Sequence, residues 1–554
     1  MTVAPPSASL PCPDLLCAVA RVRVDLAALR QTLVFAFAAG APADAFDDAT
    51  ANVSLGPSTW SRDVFARDLY VDELVGKCFG VQIDGKAHRS SHRYFARVLS
   101  APPKDPADVG IRRDALAELV SSAERRRELE RVVLAIVRLR GLLCAPRQPA
   151  PRVRRIEILR CSREIFELLA GSFAPESSQA DAPTTLARLR DFGAAVVASD
   201  AYRRLRALLE HEDHQASLDL RVRVGADGEV RSMQIVGIHE NTGNPFYLPL
   251  VRRLWVRLVL FFRGYRTTSG EVAERLLSDV FSGIEEPVAL LFQVLGDAEV
   301  LLGALGFRDR AMARGLAVAL PELEPPGAAL EVRGLFNPLL LGSGQTPVPC
   351  DVHAGPGALV IVTGPNSGGK TRLLQSIATL QLLSQAGLFA PARVARVPTA
   401  SGLFASLFEE ARADQPEGHL GMELLRIRRL FDELDEGALV VLDELCSGTN
   451  PSEGEEIAAL VLSLLPELGV RAFITTHLLQ FAVRLSGEAR ASSPSAPSSL
   501  EFLQVELDEG EQSTYRFVPG VARTSLAHKT AARLGVTREE LVARIAKKVR
   551  ASPG

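Results

Sequence analysis

The sequence predicts a mostly α N-terminal region, interrupted by one small β-hairpin, followed by an α/β domain and a short helical C-terminus. Three observations carry that expectation. Helix-period apolar spacing dominates up to about residue 330. Beyond it, short apolar runs of strand length alternate with helical patterns, as in a domain built on a mostly parallel sheet. One of those runs, Ala358 to Thr363, passes through a glycine-rich turn into a helical stretch, Arg372 to Ile377.

Residues 1–13 are rich in Pro, Ser and Ala and are expected to lack fixed structure. Asp105-Pro106-Ala107-Asp108 reads as an N-cap, a proline at the first helical position and an acid in the first turn. The helix it opens runs in one or two pieces through Leu116, Leu129, Val133 and Leu139. Further helical patterns cover 155–172, 184–212, 248–263 and 268–318. Leu218, Leu220, Val222 and Val224 alternate with charged residues, and a turn at Asp227-Gly228 leads to a second strand through Val230 and Ile235. Buried strands of the second half are expected at 358–363, 438–443 and 470–475. The run from Ser492 to Ser499 reads as an exposed loop. Ser525 to Leu534 reads as a helix closed by Gly535, and Thr537 with Glu540 as the capping box of a last helix. These patterns divide the chain into an N-terminal segment (1–60), a helical region (61–330), an α/β domain (331–522) and a C-terminal helical element (523–554).

The chain of 554 residues is too long for one core. Its 47% hydrophobic and 23% charged content is that of an ordinary globular protein. A net charge of −3 excludes a chain that grips nucleic acid by overall charge, so such binding would need local basic patches. The seven cysteines include no C-x-x-C pair, which argues against a disulfide scaffold or a zinc module and for a cytoplasmic setting. The apolar stretch Thr32 to Ala39 starts late and follows Asp25 and Arg30, and Leu254 to Phe262 is short and broken by Arg257. Neither reads as a signal or membrane element.

Gly364-Pro365-Asn366-Ser367-Gly368-Gly369-Lys370-Thr371 has the G-x-x-x-x-G-K-[ST] spacing of a phosphate-binding loop, with the strand before it and the helix after it. Glycines let main-chain amides turn inward around phosphate oxygens. Lys370 and the positive helix end would hold the outer phosphates, and the Thr371 hydroxyl would ligate Mg2+. Ala438 to Leu442 is an apolar strand that ends in Asp443 and Glu444. Asp443 is placed to hold the metal and Glu444 to deprotonate an attacking water. Arg471 to Thr475 forms another strand, and His477 just beyond its end could sense the terminal phosphate.

T-G-P-N-S-G-G-K-T, L-D-E-L-C-S-G-T-N-P-S-E-G and T-T-H together resemble the MutS family of DNA mismatch-repair ATPases, an ABC-related group, over about 335–545. The stretch Tyr515 to Gly520, followed by Ser525 and the paired helices, resembles that family's C-terminal helix–turn–helix dimerisation element. A weaker likeness begins at Pro102-Pro103-Lys104-Asp105, with Arg113, Ala117 and Leu119, and suggests the family's helical core and lever region. The resemblance implies ATP as the nucleotide, Mg2+ as the metal, a homodimer with composite sites, DNA as the partner and a cytoplasmic or nucleoid-associated location. It implies catalytic roles for Lys370, Glu444 and His477, metal ligation by Thr371 and Asp443, and a place for the Ser447–Gly454 turn at the dimer interface.

Two features depart from the family pattern. Gly418 stands where the family carries a serine that reaches the partner's γ-phosphate, although Glu423 matches the nearby acid. No F-x-E mismatch-reading motif occurs in the first hundred residues, and neither the pair of mismatch-binding and connector domains ahead of the core nor a nuclease domain after the ATPase is expected. Two basic segments remain open to two readings. Arg138, Arg140, Arg147, Arg152, Arg154, Arg155 and Arg160 form one; Arg252, Arg253, Arg257, Arg263 and Arg266, interleaved with Trp255, Phe261, Phe262 and Tyr265, form the other. They either contact DNA phosphates or are the solvated faces of amphipathic helices. The functional expectation is therefore an ATP-hydrolysing protein whose dimer closes on DNA, with an ATP-driven switch acting on protein partners as the alternative. An ABC-type transporter or chromosome-maintenance ATPase is disfavoured, because the signature look-alike Leu485-Ser486-Gly487 falls after His477.

Overall fold

The computed structural model describes residues 10–88, 91–144, 151–174, 184–213, 216–224, 230–240, 269–407, 419–446, 450–492, 500–523 and 536–550. The helix expected at 248–263, the one at Ser525–Leu534, Gly418 and the second basic segment lie outside these residues. The chain forms two compact units. One contains residues 1–54 and 114–302, the other residues 55–113 and 303–554.

The first unit is helical, with Leu26–Ala39, Ala43–Ala51, Ala123–Cys144, Pro151–Gly171, Ala187–Ala198, Asp200–Asp213 and the first part of Ser269–Ala313. The predicted helix over 184–212 is two helices. Ser199 takes an extended backbone between them, and its Oγ accepts from Tyr202 N at 3.2 Å, capping the second helix instead of continuing the first. Ala216–Val224 pairs antiparallel with Val230–Glu240. Aromatic stacking ties the early helices to the long one: Phe37 on Phe281 at 4.1 Å and Phe46 on Phe292 at 4.6 Å between ring centroids. The long helix carries Pro287 inside it. Its stretch Glu274–Ala313 is apolar and long enough to cross a membrane, but the apolar window is wholly buried within the protein.

A buried charge cluster lies at the centre of this unit. The Arg23 guanidinium bonds Asp14 at 3.2 Å and also pairs with Asp297, and all three side chains are shielded from solvent. Asp14 also accepts from Leu16 N at 2.9 Å, and Asp297 accepts from Leu15 N at 3.1 Å. The segment after Leu10 is thus fixed in the core by charge-assisted bonds. Replacing one partner strands the others in a low-dielectric site. Asp297→Ala is expected to destabilise this unit by about 3–5 kcal/mol, read as a lowered midpoint in urea unfolding.

The second unit is built on a six-stranded sheet: Leu359–Thr363 (β1), Leu403–Ser406 (β2), Leu439–Leu442 (β3), Arg471–Thr475 (β4), Leu500–Leu507 (β5) and Ser513–Pro519 (β6). Their spatial order is β2-β3-β4-β1-β5-β6; all neighbours are parallel except β6, which pairs antiparallel with β5. β1, β3 and β4 are buried at every position, which is why apolar residues dominate them, with Thr363, Arg471 and Thr475 only at their ends. A four-stranded sheet joins Glu322–Glu324, Val394–Pro398, Leu330–Leu335 and Cys350–Ala354 in that order.

Residues 55–113 position the helix that follows the phosphate-binding loop, Lys370–Gln385. Arg112 donates to Ala386 O at its C-terminal end (2.9 Å). Buried Asp68 accepts from Leu407 N just after β2 (3.1 Å), and its carbonyl accepts from Gln375 Nε2 (3.4 Å). The Arg112 guanidinium thereby satisfies a carbonyl that the end of the buried helix would otherwise leave bare. At the C-terminus, Thr537 Oγ1 accepts from Glu540 N at 3.3 Å, capping Arg538–Arg550.

Candidate functional site

Three parallel strands bring the chemistry together at their carboxyl ends. β1 runs into the glycine-rich loop, β3 into Asp443-Glu444, and β4 into Thr475-Thr476-His477. Register fixes their relative heights: Leu442 lies opposite Ile474, and Thr475 lies opposite Val362. β4 sits between the loop strand and the acid strand, so groups from β1 and β3 meet across its tip. This is the crevice where open α/β sheets place ligands.

The loop is held in its turn by its own lysine. Lys370 is buried, and its Nζ donates to Gly364 O at 3.1 Å and Pro365 O at 3.2 Å. Burial pushes the ammonium below the usual lysine range, while the charges of Glu444 and Asp443 oppose that shift. Gly364 has φ 144°, and a Cβ there would meet Val505 Cγ2 on β5 at 2.5 Å. No other residue fits that approach. Gly369, with φ 90°, stands at the N-cap of the helix. Asn366, Ser367, Gly368, Gly369, Lys370 and Thr371 line a cavity of about 670 Å³, with Glu444, Val348 and Tyr515 on its other walls.

The acids are wired into the same place. Asp443 Oδ2 accepts from Thr371 Oγ1 and Asp443 Oδ1 accepts from Thr475 Oγ1, both at 2.5 Å. The Thr475 hydroxyl in turn accepts from Glu444 N at 2.8 Å. Glu444 has φ 50° and Cys446 φ 62°, left-handed conformations that cost a non-glycine residue about 1–3 kcal/mol and persist only where neighbours enforce them. Glu423 does so from the next helix, His419–Glu433, by accepting from Cys446 N at 3.3 Å. Arg426 of that helix bonds Ser406 Oγ (2.6 Å), Ser406 O (2.7 Å) and Asp443 O (2.9 Å), clamping the ends of β2 and β3 together. The Cys446 thiol is pushed up to about 11, first by burial and then by Glu423, so it stays protonated near neutrality.

Of the residues singled out in the sequence, Lys370, Thr371, Asp443 and Glu444 converge. Gly364 and Pro365 lie behind the loop and serve it through their carbonyls. His477 is exposed at the tip of β4 and is not among the residues lining the cavity. Glu423 is buried against the acid turn. Within the Ser447–Gly454 turn, residues 447–449 lie outside the described residues, and Asn450 caps the helix Pro451–Leu464 through Ser452 N at 3.3 Å. In the first basic segment, Arg138 pairs with Glu164 (3.2 Å), Arg140 with Asp47 (3.4 Å) and Arg160 with Glu157. Buried Arg154 donates to Ala36 O (3.0 Å), Phe37 O (2.9 Å) and Leu142 O (3.2 Å), satisfying helix C-terminal carbonyls.

Sequence reasoning missed three contributors. Thr475 reads as an ordinary β-branched strand end. Arg426 reads as one of several arginines on an amphipathic helix. Tyr515 reads as part of the stretch leading into the C-terminal element, with no strand assigned to it, yet Ser513–Pro519 is the edge strand β6, and the Tyr515 ring comes within 3.3 Å of a Cβ placed on Gly369. The turn at Asp508-Glu509-Gly510 between two alternating runs was the signal for that hairpin.

The donor set suits the ligands it would hold. Thr371 and Asp443 offer only oxygen atoms, as a hard divalent cation such as Mg2+ requires. A buried ammonium beside a helix N-terminus suits a polyphosphate.

Residues 360–550 match MutS domain V. Among curated proteins, the chain is 31% identical over 283 residues to the Endonuclease MutS2 of Thermomicrobium roseum, covering 49% of this chain and 34% of that protein. It is 28% identical over 288 residues to the Endonuclease MutS2 of Thermus thermophilus (52% of this chain, 36% of that one) and 33% identical over 253 residues to that of Symbiobacterium thermophilum (44% and 30%). The chain thus matches about a third of the length of these relatives. The loop, the acid pair and the T-T-H strand end, assembled on one sheet, all lie within the residues that match MutS domain V, so this part of the chain is a MutS domain V and the relatives it matches are MutS2 proteins.

Proposed function

We propose that the cavity binds ATP with Mg2+ and hydrolyses it, and that the nucleotide state of a dimer governs the protein's grip on DNA. The observation that carries the hydrolytic half is the Thr371–Asp443 bond, which joins the loop to the acid strand beneath Lys370 and beside Glu444. The loop amides and Lys370 bind the phosphates, whose charge offsets the burial of the ammonium. Bound Mg2+ would be held by Thr371 and Asp443 and would neutralise charge on the outer phosphates. Glu444 takes a proton from a water that attacks the γ-phosphorus, giving ADP and inorganic phosphate. His477, at the tip of β4, responds to loss of the terminal phosphate. Val348, Tyr515 and Phe517 give the cavity an apolar wall suited to the base, with Tyr515 against the loop at Gly369.

The DNA half is supported by the match of residues 360–550 to MutS domain V and by the likeness to MutS2 proteins. ATP would close paired domains through the helix His419–Glu433 and the turn after Asp443, and hydrolysis would reopen them. With Gly418 at the position of the expected trans serine, the partner's contact would rest on main chain. The endonuclease name belongs to the relatives and is not carried over. The test is ATPase activity and equilibrium binding against duplex, mismatched and branched DNA. Expected are stimulation by at least one structure and a log–log salt slope of about −0.9 per phosphate contacted. No salt-sensitive binding with or without ATP would remove DNA from the proposal.

One observation favours the second reading, a switch acting on protein partners. In the described basic segment, Arg154 is buried on helix carbonyls and Arg140 is largely covered and paired with Asp47, so these two offer DNA little. Nucleotide-dependent capture of protein, with no DNA response, would support it.

A further inference from the structure

We propose that Thr475 is a positioning residue for the two acids, its single hydroxyl orienting the carboxylate of Asp443 and the backbone of Glu444 at the same time. The proposal rests on the hydrolytic reading above. Thr475 is fully buried at the last position of β4, the strand lying between the loop strand and the acid strand. A hydroxyl has one proton to donate and two lone pairs to accept with. Here the proton goes to Asp443 Oδ1 at 2.5 Å, and a lone pair receives Glu444 N at 2.8 Å.

Each bond fixes something the chemistry needs. Asp443 Oδ2 faces Thr371, and the bond to Oδ1 stops the carboxylate from rotating that edge away. Glu444 has a left-handed backbone, so its side-chain direction depends on what holds its N–H. Thr475 supplies that acceptor from a neighbouring, rigidly paired strand. The hydroxyl stays remote from the nucleotide itself, since Thr475 is not among the residues lining the cavity. Its effect is therefore on the precision of two other groups.

Thr363 shows that the pattern is not generic to buried threonines of this sheet. Also fully buried, on adjacent β1, its hydroxyl donates to Leu503 O at 3.3 Å and accepts from Ala522 N at 2.9 Å, both backbone groups away from the acids.

The test compares Thr475→Val, which keeps shape and removes the hydroxyl, with Thr475→Ser, which keeps the hydroxyl and removes a methyl. Expected for Thr475→Val is a fall in kcat of about 10–100-fold, with metal-free nucleotide affinity within about threefold of wild type. Calorimetric titration of a non-hydrolysable ATP analogue with and without Mg2+ supplies a readout independent of turnover. The gain in affinity that Mg2+ provides should shrink by about tenfold in Thr475→Val. Thr475→Ser should restore both to within about threefold of wild type. Should Thr475→Val not fold, Thr475→Ala is read in the same way. Wild-type kcat and metal dependence in the hydroxyl-free variant would overturn the proposal, as would a serine variant no better than valine, which would assign the effect to packing. A wild-type chain that neither binds MgATP nor hydrolyses it would instead remove the hydrolytic reading, and this proposal with it.

Discussion

ATP binding by Lys370→Ala is expected to fall by at least about 100-fold, to the edge of detection in calorimetry or with a fluorescent analogue. Charge-assisted bonds from the buried ammonium to two phosphate oxygens would contribute about 1.5–3 kcal/mol each, and their joint loss corresponds to a factor of 100 or more. The loop suffers as well, because Lys370 Nζ is the donor that Gly364 O and Pro365 O share. Alanine leaves both carbonyls seeking water and relaxes the turn that aims the amides. Lys370→Arg is not a rescue: a planar fork needs more room than a compact ammonium and does not place its donors on the same two carbonyls. Undiminished affinity in Lys370→Ala would mean that the nucleotide binds elsewhere.

The second large effect is expected from Glu444→Gln. Glutamine matches glutamate in shape, keeps its N–H on Thr475 Oγ1, and cannot accept the proton of an attacking water. Turnover should fall by about 100- to 10,000-fold while affinity for ATP stays unchanged, so that rapid quenching after one binding event recovers intact triphosphate. The same change should lengthen any nucleotide-dependent association between chains, because the triphosphate state no longer decays. Normal turnover in this variant would transfer the base to another group, and His477 at the neighbouring strand tip would be examined next.

Much of the site was readable in advance because its geometry is local. The loop spacing specifies its own turn, and the strands expected at 358–363, 438–443 and 470–475 appear as Leu359–Thr363, Leu439–Leu442 and Arg471–Thr475. Strands buried on both faces are dominated by apolar residues, so their composition announces them. What sequence could not show depends on contacts between distant positions. The placing of β4 between β1 and β3 follows from crossover connections and not from any run of residues. The double role of Thr475 exists only because of that order. Asp68, some 339 positions before Leu407, accepts from its N–H, and nothing near Asp68 signals the partner. The helix break at Ser199 was hidden for another reason: a serine that caps a helix and one that continues it look alike until the backbone chooses. The strand that carries Tyr515 escapes the sequence reading because it lies at a sheet edge, where alternation is weak and a positive φ of 59° interrupts it.

Titration of a non-hydrolysable ATP analogue into the wild-type chain, with and without Mg2+ and beside Lys370→Ala, tests the site most directly. The expected result is one saturable site per chain in the wild type, tightened by Mg2+ through Thr371 and Asp443 and lost in the lysine variant. Saturable binding that ignores both Mg2+ and Lys370, or no binding at all, would contradict it.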